Sequence, residues 1–266
     1  MSEIIAPLTN PTTTQKPKFH KKLFNTPNTI DLWHGKDSKE NSKPLVGGNG
    51  RDPFTHHIVQ TELPKSDIKY IWNSLGLRGP EIDYTASTKI IFAGGSLLLG
   101  TGINVEDSFP YIVAKKLNAS YLNISPADTL TDLVDPLTEY KKFKPDYIIL
   151  NDTRFFGSYG WGLREIYKMR KLEAQDGYVK YFKQADIDCL KLFDYFLKGL
   201  FPNAKLILAY CERRAWKTSV PNLDNIKKIS FGAKETVVDL ARDGFHPGPE
   251  SHKIMADKIL QGIENV

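Results

Sequence analysis

From residue 88 onward, short β-branched runs alternate with segments of helical spacing, and this restricts the fold more than any other feature of the chain. Lys89 to Ala93, Ser120 to Ile124 and Asp146 to Leu150 each read as a short buried strand. Between the first two, Phe109, Ile112, Val113 and Leu117 recur at helical spacing, which predicts a helix over 107–117. Between the next two, Leu130, Val134, Leu137 and Tyr140 predict a helix over 131–142. Strand, helix, strand in this rhythm argues for βαβ units and a parallel sheet. A long amphipathic helix over 178–200 follows, with Phe182, Ala185, Cys189, Phe193, Phe196 and Leu200 on one face. A fourth strand is expected at 204–209 and a weak fifth near Thr236 to Asp239. The last helix is expected over 249–263, opened by Pro249 after Gly248. The fold class is therefore α/β, with a mainly parallel sheet.

The rest of the chain reads differently. Residues 1–50 are rich in Pro, Thr, Asn, Lys and Gly without a sustained period, and read as an extended arm or linker. Phe19, Phe24 and Trp33 within it suit an arm that lies along its own body or along a protein partner. Residues 51–87 form an irregular lead-in, with a small strand and glycine turns around Ile68 to Glu81. Arg78 is expected to tie that loop to an acidic group. Residues 88–266 form the α/β domain.

Several function classes lose support. A net charge of +5, from 36 basic and 31 acidic residues, is mild and well mixed, so nucleic acid is not an expected partner. Two cysteines, Cys189 and Cys211, make no framework, and six histidines form no metal-ligand spacing. No stretch approaches the length of an apolar membrane span, and the first residues carry no standard secretory signal. A cytoplasmic or particle-associated location is the expectation. No cofactor is called for: no phosphate-cradling glycine pattern follows the first strand.

The chemistry that the pattern does offer is acyl transfer. Gly94 and Gly95 end the first strand and present Ser96. A serine hydroxyl needs a base, usually a histidine oriented by a carboxylate. His246, in a turn before the last helix, is that base, and Asp243 three residues ahead is the orienter. An oxyanion needs donors. The Ser96 N–H, the side-chain amide of Asn151 and the N–H of Ala127 are the candidates, because all three leave the sheet at one edge. The loop after the third strand carries Phe155, Phe156, Tyr159 and Trp161, which suit a pocket wall.

These residues resemble the SGNH (GDSL-type) hydrolase superfamily over about residues 88–263. Gly94-Gly95-Ser96 is similar to the family's Gly-Asp-Ser block, Asn151-Asp152 to the end of its Gly-x-Asn-Asp block, and Asp243 to His246 to its Asp-x-x-His block. Gly95 stands where the family has Asp, Ile149 where it has Gly, and Ala127 where the second block has its oxyanion glycine. The stretch Asn73 to Glu81 is similar to a lead-in of some members. The resemblance implies a flavodoxin-like three-layer α/β/α sandwich and a Ser96–His246–Asp243 triad. It also implies an esterase acting on a small acylated substrate, such as an acetylated saccharide. The rival expectation is a binding or assembly protein that keeps the fold without the activity; the long arm and the altered oxyanion blocks motivate it.

Overall fold

In the computed structural model, the described residues are 26–32, 68–127, 130–151, 188, 190–210, 226–231, 233–242 and 246–264. A two-stranded antiparallel ribbon comes first, β1 (Thr29–Leu32) against β2 (Lys69–Trp72). The main sheet follows: β3 (Lys89–Gly94), β4 (Ser120–Ile124), β5 (Tyr147–Asn151), β6 (Lys205–Tyr210) and β7 (Ile226–Ser230). Its spatial order is β4-β3-β5-β6-β7 and every neighbouring pair is parallel. In order of appearance this is the doubly wound 2-1-3-4-5 arrangement of flavodoxin-like folds. The helices are α1 (Ser96–Leu99), α2 (Phe109–Lys116), α3 (Thr131–Glu139), α4 through residues 190–200, α5 (Ala233–Thr236) and α6 (Pro249–Glu264).

The sheet is covered on both faces, which is why its inner strands are apolar at consecutive positions rather than alternating. Ile91 and Ala93 of β3 join Leu122, Ile148 and Leu150 beneath Leu133 and Leu137 of α3 and Phe193 and Leu197 of α4. Ile90 and Phe92 join Ile149, Ile207 and Ala209 beneath Phe109 and Val113 of α2 and Met255 and Ile259 of α6. The expected α/β class and parallel sheet are thus observed. Four of the five expected strands and the expected α2, α3 and α6 are in place, each within about three residues of its expected bounds. The expected N-terminal part of the long helix, 178–187, and the aromatic loop with Phe155, Phe156, Tyr159 and Trp161 lie outside the described residues. So do Cys189, Cys211 and most of residues 1–67.

The fifth strand is a correction. It is not at Thr236 to Asp239 but at Ile226–Ser230, and the expected segment contributes the end of α5 instead. The run Ile226-Lys-Lys-Ile-Ser buries only its two isoleucines, three residues apart, so the period of a strand is absent. Central lysines are what an edge strand carries, because an edge must not invite further pairing. Desolvation holds the Lys228 ammonium below its usual pKa. The β-branched Thr236 and Val237 mislead for a different reason: both are buried, and the Thr236 hydroxyl donates back to the Phe231 carbonyl to close a turn. Among the described residues no helix is long and apolar enough to cross a membrane.

Gly94 leaves no room for a side chain between β3 and β5. It pairs with Asn151 in register, at φ 157°, and a Cβ built there would overlap the Asn151 carbonyl. A Gly94→Ala chain should therefore lose about 1–3 kcal/mol of stability, as overpacked sites do, seen as a lower urea midpoint at unchanged slope.

Candidate active site

β3 ends at Gly94, and α1 begins at once with Ser96 as its first residue. Gly95 precedes it at φ −83°, an ordinary extended value, so this position does not require glycine. The site therefore lies beyond the carboxyl ends of β3 and β5, at the point where the strand order reverses. That is where open α/β sheets bind ligands.

His246 reaches Ser96 from the far end of the sequence. Its Nε2 lies 2.8 Å from the Ser96 Oγ, across a separation of 150 residues. With the ring proton on Nδ1, Nε2 accepts the serine hydroxyl, the arrangement a general base needs. The loop that carries His246 is fastened at its root. The Gly248 N–H donates to the Asp239 carbonyl at 3.0 Å, the Ala241 N–H donates to the His246 carbonyl at 2.7 Å, and Leu240 bridges Pro247. Below the loop, the Asp239 carboxylate accepts from the backbone N–H groups of Glu250 (3.0 Å) and Ser251 (2.8 Å), and from the Ser251 hydroxyl. These are orphan donors of the first turn of α6, which a carboxylate satisfies and its charge favours. Gly248 has no room for a side chain beside that carboxylate. Asp243, the expected orienter, lies outside the described residues, as does Asp152.

The expected oxyanion donors are placed unequally. The Ser96 N–H opens α1, where N–H groups have no intrahelical acceptor. Asn151 is buried at the end of β5, with Nδ2 donating to the Ala209 carbonyl at 2.8 Å and Oδ1 without a partner among the described residues. An amide nitrogen carries two hydrogens, so one remains. The Ala127 N–H donates to the Gly94 carbonyl at 2.8 Å. In this arrangement it ties the loop after β4 to the end of β3 and is not free for a ligand.

Sequence reasoning missed Asn123 and the partners of Arg78, which support this edge. Asn123 is buried on β4; its Nδ2 donates to the Leu98 carbonyl at 2.9 Å and its Oδ1 accepts the Ser125 hydroxyl at 2.6 Å. Arg78 is fully buried, and its expected acidic partner is a correction: the guanidinium donates to the carbonyls of Leu99, Gly100 and Ile103. Its carbon sits 3.7 Å from the centre of the Tyr70 ring. Burial lowers its pKa to about 10, with the neighbouring Tyr70, Tyr121 and Glu106 opposing the shift. A polar residue inside a near-apolar strand, as Asn123 is in Tyr-Leu-Asn-Ile, was the available signal for the first of these.

A second histidine lies near the first without joining it. His252 on α6 is fully buried and stacked on Phe109, and its Nδ1 accepts the Phe109 N–H at 3.1 Å. Its proton therefore sits on Nε2, which has no partner among the described residues. Desolvation, aided by the charges of His246 and Arg78, pushes its pKa down to about 3. Among the described residues no group of three His, Cys, Asp or Glu side chains is placed to hold a metal.

The fold is similar to several solved structures. A lipase from a goat rumen metagenome matches at 15% identity and TM-score 0.48, over 66% of this chain and 97% of that one. A G-D-S-L family protein from Desulfitobacterium hafniense matches at 17% identity and TM-score 0.46, over 66% of this chain and 99% of that one. A family two carbohydrate esterase from Clostridium thermocellum, solved with cellohexaose, matches at 16% identity and TM-score 0.46, over 71% of this chain and 66% of that one. No protein-family model matches the sequence, and no curated protein matches it either.

The buried His252 makes stability depend on acid. Its folded pKa of about 3 lies below the ordinary 6.5, so below pH 6.5 the unfolded chain binds a proton that the folded chain refuses. The associated stability is complete above that pH and drains away as pH falls toward 3, at up to about 1.4 kcal/mol per pH unit. A His252→Gln chain should lack this component, so its denaturation midpoint should fall less steeply than that of the parent chain across the same window.

Proposed function

We propose that the chain is a serine-dependent acyl hydrolase, a divergent relative of the SGNH hydrolases. The observation that carries this reading is the 2.8 Å approach of His246 Nε2 to Ser96 Oγ at the strand-order reversal. The resemblance of the serine, asparagine and histidine blocks supports it independently. In this reading His246 takes the Ser96 proton as Oγ attacks the acyl carbonyl. The alcohol then leaves with that proton, and a water activated by His246 releases the acid and frees the serine. Asp243, three residues ahead of the base, orients the imidazole and stabilises its charged form.

The Ser96 N–H and the second hydrogen of the Asn151 amide hold the oxyanion. Ala127 supports the hole from beneath, through its bond to the Gly94 carbonyl. A hole of two donors is smaller than one of three, and one lost donor costs roughly a hundredfold to a thousandfold in rate. The enzyme should therefore favour activated or small acyl groups. An acetylated saccharide is the substrate class to try first, and the sequence's Phe155, Phe156, Tyr159 and Trp161 are residue types that suit a sugar.

The direct test is labelling by an aryl phosphonate together with turnover of a small acetyl ester. The parent chain should label at Ser96 and hydrolyse the ester. Ser96→Ala should abolish labelling and lower kcat by about a thousandfold or more. A folded parent chain that neither labels nor turns over acetyl or aryl esters would overturn the reading in favour of a binding protein on the same fold.

A further inference from the structure

We propose that Arg78 is a positioning residue for the reaction: its guanidinium sets the place of the Ser96 helix and, through the turn that contains Gly102, that of the His246 loop. The proposal rests on the hydrolase reading above and adds a residue that this reading does not contain.

The geometry begins in the lead-in. The turn from Asn73 to Arg78 is organised by the Asn73 side chain, whose Oδ1 accepts from the N–H groups of Leu75 (3.0 Å) and Leu77 (3.1 Å) and whose Nδ2 donates to the Pro80 carbonyl at 3.0 Å. Glu81 reaches back to the Ser74 N–H at 2.8 Å and to its hydroxyl at 2.6 Å. Gly76, at φ 72°, makes the turn, and Gly79, at φ 138°, leaves no room for a Cβ beside the Tyr121 ring. The stretch Asn73 to Glu81 is thus a rigid bracket, and Arg78 is the residue that it presents inward.

Arg78 meets the end of α1 opposite Ser96. Its donors satisfy the carbonyls of Leu99, Gly100 and Ile103, at the last turn of that helix and just beyond it. The same turn is gripped twice more at Gly102. The Gly102 N–H donates to the Tyr70 hydroxyl at 2.9 Å, and its carbonyl accepts the Arg242 N–H at 3.0 Å. Arg242 stands in the loop that carries His246, and its neighbour Ala241 bonds the His246 carbonyl. Nucleophile and base are therefore both attached to one turn, and Arg78 with the Tyr70 under it fixes that turn. A fork of planar donors suits several carbonyls in different directions, whereas a lysine ammonium is a single point.

The test is Arg78→Lys, read on protein whose circular dichroism matches the parent chain. Phosphonate labelling of Ser96 and kcat should fall by on the order of 10–100-fold, the cost of a small misplacement of reacting groups, with KM little changed. In Arg78→Ala, added methylguanidinium should restore part of the labelling rate. Tyr70→Phe, which removes the hydroxyl that accepts the Gly102 N–H, should give a smaller loss in the same parameter and serves if Arg78→Lys does not fold. Unchanged labelling and kcat in these variants, with only a lower melting temperature, would assign Arg78 to stability alone and overturn the proposal. A parent chain that ignores the phosphonate would instead overturn the hydrolase reading and this one with it.

Discussion

The carboxyl edge of the sheet depends on how closely β3 and β5 approach at their ends. Gly94 faces Asn151 in register with no Cβ between them. The Gly95 N–H then reaches the Asn151 carbonyl at 3.1 Å, and the Gly94 carbonyl is left to accept the Ala127 N–H at 2.8 Å. Three strand exits are fastened to one another within two residues. Ser96 follows immediately, so the backbone has no slack in which the serine could wander. A side chain at Gly94 would push β3 and β5 apart and release all three exits together.

The base is held by a different device with the same result. His246 belongs to a loop whose two ends meet at Asp239 and Gly248, and the Asp239 carboxylate closes the junction by capping the first turn of α6. That carboxylate does no chemistry in the proposed reaction, yet it decides where the loop starts. It also explains why Gly248 precedes the helix: any Cβ there would strike the cap. α6 in turn lays Met255, Ala256 and Ile259 against the sheet face beneath α1's Leu97 and Leu98. Serine and histidine are thus referred to one hydrophobic layer although they lie far apart in the chain.

The sequence made the fold legible where burial on both faces produced unbroken apolar runs, as in β3, β5 and β6. It failed at β7, where an edge position lets lysines occupy a strand and the period disappears. Ser96 and His246 were legible because a strand that stops at two glycines and a histidine before Pro-Gly are both local signals. The partners of Arg78, Asn123 and Asp239 were not legible, because each acts on carbonyls or N–H groups distant in sequence. Backbone partners have no side-chain identity to read. The expected acidic partner of Arg78 shows the point: charge complementarity is visible in a sequence, but three converging carbonyls are not. The occupied Ala127 N–H was hidden for the same reason, since its acceptor is a main-chain oxygen more than thirty residues earlier.

A single helical turn is not stable by itself, since nucleation fixes several residues for one hydrogen bond. α1 has four residues, and its last carbonyls would be orphans in a buried place. Each unsatisfied buried carbonyl costs about 1–3 kcal/mol. Asn123 answers for Leu98 and Arg78 for Leu99; beyond the helix the guanidinium also bonds the Ile103 carbonyl and that of Gly100, which already accepts the Ile103 N–H. The guanidinium is itself expensive to bury, and no carboxylate of the described residues bonds to it; the carbonyls and the Tyr70 ring offset that desolvation. A fixed cation at the negative end of the helix also favours its dipole. β4 and the lead-in therefore complete the helix that presents the serine. Removing either would lose the orientation of the nucleophile before it lost the sheet, since the β3–β5 ladder and both hydrophobic layers do not pass through Arg78.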